Sequence, residues 1–208
     1  MFYEPNARNH GLPYDPFKAL VVPRPIGWIS TIGADGSFNL APYSYFNAVS
    51  TTPPIVMFSS DGEKDSSRNA RETGEFCCNL VTHDLLMPMS ASSAPLPYGT
   101  SEFGMAGLTA APSRLVRAPH VKEAKAVLEC KVTEIIRPRS HSGRESPNVI
   151  IFGEVIGVFI DDDAIRNGMV DTEALRIVSR LGYKEYASID SVFELERPPG
   201  GGDLPKLK

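Results

Sequence analysis

Ile26-Gly27-Trp28-Ile29-Ser30-Thr31-Ile32-Gly33-Ala34-Asp35-Gly36 is the stretch whose reading decides the fold. Ile26, Trp28, Ser30 and Ile32 alternate with Gly27, Ile29 and Thr31, and both sets carry apolar residues, so the spacing predicts a strand with both faces partly covered. Asp35-Gly36 then supplies a hairpin turn, whose positions call for positive φ. The return run, Phe38 to about Phe46, contains Pro42. A proline cannot donate to a central ladder, so a strand end, a bulge or a sheet edge is expected there.

Outward from this hairpin the chain keeps the same habit of short apolar runs between polar turns. Asn47 to Pro54 reads as a loop made extended by Pro53-Pro54, and Ile55-Val56-Met57-Phe58 as a short buried strand. Asp65 or Ser66 can cap a helix that runs through Arg71 and ends at Gly74, and Phe76 to Val81 is a further strand. His83 to Met89 predicts a short helix broken near Pro88. The Ser-, Ala-, Pro- and Gly-rich stretch from Ser90 to Gly107 is a candidate lid or dimer contact. Ala126–Ile136 and Val149–Ile160 are the clearest strands and predict a long-looped hairpin. Asp171 or Thr172 can cap a last helix with Leu175, Val178 and Leu181 on one face and Gly182 at its end.

An irregular arm up to about Pro16 precedes all this, and a Pro- and Gly-rich tail expected to be loose follows Arg197. The whole, residues 1–208, reads as one domain with its core at about 20–197. Six or more strands joined by hairpins, with two or three short helices, predict a mainly β chain: an antiparallel barrel whose helices cover its ends.

Composition narrows the function. Of 208 residues, 42% are hydrophobic and 22% charged, which suits a folded domain. A formal charge of -4 and a pI near 5.6 give no basic face for nucleic acid. No apolar run reaches the ~18 residues that span a bilayer, and the N-terminus lacks a basic-then-apolar leader, so a cytoplasmic protein is expected. Cys77, Cys78 and Cys130 cannot all pair, and neighbouring strand residues face opposite ways, so reduced core thiols are expected.

The chemistry gathers in few places. Lys64-Asp65-Ser66-Ser67-Arg68 would put a lysine, an arginine and two hydroxyls at a helix N-terminus, where unpaired N–H groups and the dipole favour an anion. A capped surface helix with scattered charges accounts for these residues equally well. Trp28, Tyr43, Tyr45 and Phe46 stand close in sequence to Asn47-Ala48-Val49-Ser50 and could flank a flat heterocycle; ordinary barrel packing is the other reading. His10, His83, His120 and His141 lack metal-ligand spacing, and Asp161-Asp162-Asp163 reads as a solvated turn. No Gly-x-Gly-x-x-Gly follows a strand and no Walker motif is present. No side chain stands out as catalytic and no metal is expected.

Taken in order, Arg24-Pro25-Ile26-Gly27-Trp28-Ile29-Ser30-Thr31, Asn39-Leu40-Ala41-Pro42-Tyr43-Ser44-Tyr45-Phe46-Asn47-Ala48-Val49-Ser50, Pro53-Pro54 and Lys64-Asp65-Ser66 resemble the flavin reductase family with the FMN-binding split-barrel fold. Glu129-Cys130-Lys131-Val132, Gly153-Glu154-Val155 and Leu181-Gly182-Tyr183 extend the resemblance over most of residues 20–197. The branch it is most similar to includes flavoredoxin and the reductase components of two-component monooxygenases. The resemblance implies a Greek-key split barrel, a homodimer, and FMN (with FAD as an alternative) near the subunit interface. It implies hydride transfer from NADH or NADPH, which visits transiently, and a partner monooxygenase that takes the reduced flavin. An electron carrier that keeps its flavin bound is the alternative. By that analogy Asn47, Ala48, Val49 and Ser50 would contact the flavin ring, and Lys64, Asp65 and Ser66 the phosphate. Trp28, Thr31 and Ser60 are further cofactor-binding candidates, and Tyr183 another.

Overall fold

The computed structural model describes residues 1–196, so the tail beyond Arg197 lies outside the described residues. Seven strands carry the core: β1 (Gly27–Ile32), β2 (Phe38–Tyr43), β3 (Phe46–Thr51), β4 (Pro54–Ser60), β5 (Glu75–Asn79), β6 (Ala126–Ile136) and β7 (Val149–Ile160). They pair antiparallel throughout, in the order β2-β1-β5-β6-β7-β4-β3. Thus β2 and β3, consecutive in the chain, are the opposite edges of the sheet, although only Ser44 and Tyr45 join them.

That short bridge dictates the architecture. The three Cα–Cα steps from Tyr43 to Phe46 reach at most about 11 Å, so the sheet must curl until its edges nearly meet. A contact across the closure agrees: the rings of Tyr43 on β2 and Phe58 on β4 lie 4.9 Å apart, while Ser59 N–H donates to the Tyr45 carbonyl at 2.8 Å and extends the β3–β4 ladder onto the bridge. The result is the expected antiparallel barrel, split along one seam.

Alternation along the strands separates two cores. Ile29, Tyr43, Val56, Phe58, Phe76, Cys78, Cys130, Val149 and Ile151 come from six of the strands and fill the inside of the curl. Gly153 is needed there, because a Cβ would stand 2.5 Å from the Phe76 ring. Trp28, Leu40, Cys77 and Val127 point outward and are covered by residues such as Val81, Leu85, Met89, Phe103 and Val121 from the segment between β5 and β6. Cys77 and Cys78 therefore belong to different cores, and all three cysteines are free and buried, as read from the sequence. Burial pushes the Cys77 and Cys78 thiols up to about 12, which leaves them unreactive.

The helices are α1 (Phe17–Leu20), α2 (Asp65–Thr73), α3 (Leu86–Ala91), α4 (Glu102–Met105) and α5 (Thr172–Leu175). Several local expectations need correction. Pro42 does mark an edge, since β2 is an edge strand, but the β1–β2 turn uses positive φ only at Gly36, while Asp35 accepts from the Ser37 N–H at 3.0 Å. Asn47–Ser50 is no loop: it is strand β3, whose outer face is exposed and so shows no apolar alternation, and which pairs with β4 around a bulge at Val49. Pro88 does not break its helix; it sits in the first turn of α3, where a missing N–H costs nothing. The last helix stops at Leu175, and Val178–Arg180 instead pairs with Arg24–Pro25, a long-range partner that no local periodicity reveals. Among the described residues no helix is long and apolar enough to cross a membrane.

Candidate functional site

The site starts with α2. Its N-cap is Lys64, not Asp65 or Ser66 as expected, because the Ser67 hydroxyl accepts from the Lys64 N–H at 2.9 Å and closes the first turn. Gly74 ends the helix at φ 72°, as the sequence requires. The buried face of α2 is polar: Asn69 Nδ2 donates to Thr31 Oγ1 at 3.1 Å, and Asn39 Nδ2 donates to Ser66 Oγ at 2.8 Å. These bonds fix the helix to β1 and β2 and aim its N-terminus at the seam. Since Ser66 accepts from Asn39, its own proton can be donated, with the neighbouring Tyr43 phenol one acceptor for it.

A cleft of about 600 Å³ opens where these parts meet. Its walls are the β2 edge, the bridge residues Ser44 and Tyr45, the end of β4, Lys64–Ser66, and Ser92–Leu96 of the stretch between α3 and α4. One side is thus lined by serines and by the first residues of α2, a helix turn whose N–H groups have no intrahelical acceptor. The Tyr43 phenol lies at the edge of the cavity, pushed up by burial while the neighbouring Ser66 and Ser60 hydroxyls pull the other way.

Charge sharpens the picture. Two lysines line the cleft, Lys18 and Lys64, and neither has a carboxylate within 4.0 Å among the described residues. Three of the four lining carboxylates are engaged elsewhere. Asp65 pairs with Arg68 at 3.3 Å, Glu63 with Arg71 at 2.8 Å, and Glu102 Oε2 accepts from the Leu40 N–H at 2.8 Å. Burial raises the Glu102 carboxyl above its usual range, with Asp65 adding to the effect. What is left unsatisfied in the cleft is mainly donors and positive charge, the complement of a phosphate.

Of the sequence candidates, the structure brings Lys64, Asp65 and Ser66 together here. Asn47, Ala48, Val49 and Ser50 begin two residues beyond the bridge, on the exposed edge strand and outside the cavity walls; the Ala48 N–H is covered by the Asn47 side chain at 2.9 Å. Trp28 lies away from the cleft surface: it is wholly buried in the outer core, where its indole donates to Ser92 Oγ at 2.9 Å. Thr31 is likewise buried and accepts from Asn69, so it acts through α2. Ser60 is buried with a hydroxyl that makes no hydrogen bond of normal geometry among the described residues. Tyr183 packs against Tyr14 at 5.8 Å and does not line the cleft. Lys18, Glu102 and Ser92–Leu96 escape the sequence reading; they reach the cleft by tertiary contacts alone.

A second, larger cleft of about 950 Å³ lies elsewhere, lined by Arg114, Leu115, His120, Glu129 and Phe159 among others. Its buried Glu129 accepts from the Arg114 and Leu115 N–H groups at 2.9 and 2.6 Å, so each carboxylate oxygen is engaged in holding backbone. No cluster of possible metal ligands occurs among the described residues.

Comparison with known proteins agrees with this fold. The family model for the flavin reductase like domain matches residues 19–178. An uncharacterized protein of Halalkalibacterium halodurans is 39% identical over 183 residues, covering 86% of this chain and 87% of its own length. The crystal structure of nitrilotriacetate monooxygenase component B from Bacillus cereus is 30% identical, with a TM-score of 0.85, and covers 94% of this chain and 98% of its own. Flavoredoxin of Desulfovibrio vulgaris, 20% identical over 87% of this chain and 94% of its own, shares the fold with a TM-score of 0.76.

Proposed function

The chain belongs to the flavin reductase-like domain family, and from that premise we propose that it binds FMN at the seam and passes a hydride from NADH or NADPH to it. The observation that carries the reading is the cleft itself: a helix N-terminus, an unpaired lysine and the Ser66 hydroxyl, all facing the gap where the barrel is split. The donor set fits a phosphate. Lys64 supplies charge, Ser66 a hydroxyl proton and the first turn of α2 its N–H groups, while Asn39 holds Ser66 in place.

The ring would continue from Tyr45 along β3, where an edge strand presents backbone groups not used by the sheet. Asn47, Ala48, Val49 and Ser50 are assigned that role. The bound flavin supplies the redox chemistry; the chain binds, orients and shields the reacting face. No side-chain acid or base is needed, in keeping with the assignment of no catalytic residue. FAD is an alternative to FMN, the working form is a cytoplasmic homodimer, and a monooxygenase is the partner that takes the reduced flavin.

Anaerobic addition of NADH and of NADPH to the FMN-loaded protein tests the activity. Bleaching of the yellow colour with one nucleotide is expected. Retention of the colour with both would leave a flavin carrier and remove the reductase.

A further inference from the structure

We propose that Lys18, delivered by the N-terminal α1, is a second phosphate-selecting cation of the seam cleft, a role that rests on the FMN reading above. Lys18 precedes the span matched by the family model, and nothing in its local sequence marks it. The fold places it. Arg24 is buried, and its guanidinium donates to the Lys18 carbonyl at 2.6 Å, to the Val21 carbonyl at 2.6 Å and to the Leu181 carbonyl at 2.8 Å. One side chain therefore clamps the backbone of Lys18 itself to the turn at Leu181.

Close packing completes the clamp. A Cβ on Gly182 would stand 2.5 Å from the Ala19 Cβ and 2.8 Å from its Cα, so only glycine lets α1 lie where it does. Tyr45 provides the facing surface: the Lys18 ammonium and the Arg24 guanidinium each lie 5.9 Å from its ring centroid. The aromatic face holds the lysine over the bridge without neutralising it. With no carboxylate within 4.0 Å, this ammonium remains available to an anion in the cleft that it lines with Lys64. Arg24 and Gly182 are positioning residues; Lys18 is the group that meets the ligand.

The chemistry predicts discrimination between FMN and riboflavin, which share the ring and ribityl chain and differ by the phosphate. Dissociation constants for both are to be measured by flavin fluorescence quenching on the full chain and on Lys18→Met, Lys18→Arg, Lys64→Met and Gly182→Ala. Lys18 is exposed, so a loss of about fivefold in FMN affinity is expected for Lys18→Met, with riboflavin unmoved and Lys18→Arg close to the parent. Gly182→Ala, which displaces α1 without touching its charge, should show the same phosphate-selective loss. FMN affinity unchanged in Lys18→Met, or FMN and riboflavin weakened alike, overturns the role of Lys18. If that happens while Lys64→Met still loses FMN selectively, the cofactor site stands and only Lys18 falls. A parent protein that binds no FMN removes both.

Discussion

The two clefts of this molecule differ in what their polar groups are left to do. The larger one, of about 950 Å³, has a buried glutamate, an arginine, a histidine and an aromatic ring, a set that looks chemically richer than the serines and lysines of the 600 Å³ seam cleft. Yet Glu129 there accepts from two backbone N–H groups, one on each oxygen, and beside it Glu75 accepts from the Arg117 N–H at 2.9 Å and from Lys131 Nζ at 2.5 Å. Those carboxylates staple the 112–117 segment to the sheet. At the seam the protein's acceptors are mostly engaged while two lysines, a hydroxyl proton and helix N–H groups are not. Unsatisfied donors, and not volume or residue variety, are what single out the seam as the candidate site.

The sharpest way to break this contrast is at Glu129. Glu129→Ala strips acceptors from two half-buried N–H groups and should cost about 3 kcal/mol of stability, read as a lower denaturant midpoint, with FMN affinity unchanged in the folded protein. A weakened FMN affinity at full folding would make the larger cleft a ligand site. Next in size, Lys64→Ala should weaken FMN by about thirtyfold, near 2 kcal/mol, while Arg114→Ala in the other cleft leaves it unmoved. The reverse pattern would exchange the two assignments.

The acid limbs should differ as well, in opposite directions. Burial alone would raise Glu75, but the hydrogen bond from Lys131 and the Arg117 N–H outweigh it and hold the carboxyl below its ordinary 4.5. Its stabilisation is present above that value and is lost as the pH falls through the lower folded one. Glu102 behaves oppositely. With its carboxyl raised by burial, the folded state gains stability as the pH falls through that raised value. Glu75→Gln should therefore flatten the loss of stability below about pH 4.5. Glu102→Gln should remove the gain at milder acidity, seen as a steeper fall between neutral and weakly acid pH. Parallel stability–pH curves for the parent and either variant would contradict the corresponding pair of contacts.

The sequence disclosed what depends on local pattern. Ala126–Ile136 and Val149–Ile160 coincide with β6 and β7 to the residue, Gly74 ends α2, and adjacent Cys77 and Cys78 divide between two cores. It disclosed one wall of the seam cleft for the same reason, since Lys64, Asp65 and Ser66 are consecutive. What it hid depends on closure. Asn47–Ser50 reads as a loop because an exposed edge strand has no apolar alternation, and Trp28 reads as a ligand wall because sequence does not say which face of β1 meets Ser92. Lys18, Glu102 and Ser92–Leu96 come to the cleft only when the sheet curls and the segments before and after it fold back. The Ser44–Tyr45 bridge carries that whole rearrangement, and its shortness is visible only once the strand order is known.

The most direct test of the central claim is a crystal structure of the protein with FMN bound. The phosphate is expected at the first turn of α2, within hydrogen-bond distance of Ser66 Oγ and Lys64 Nζ, with the ring running past Tyr45 along β3. Flavin seated between Arg114 and Phe159, with the seam cleft empty, would contradict it.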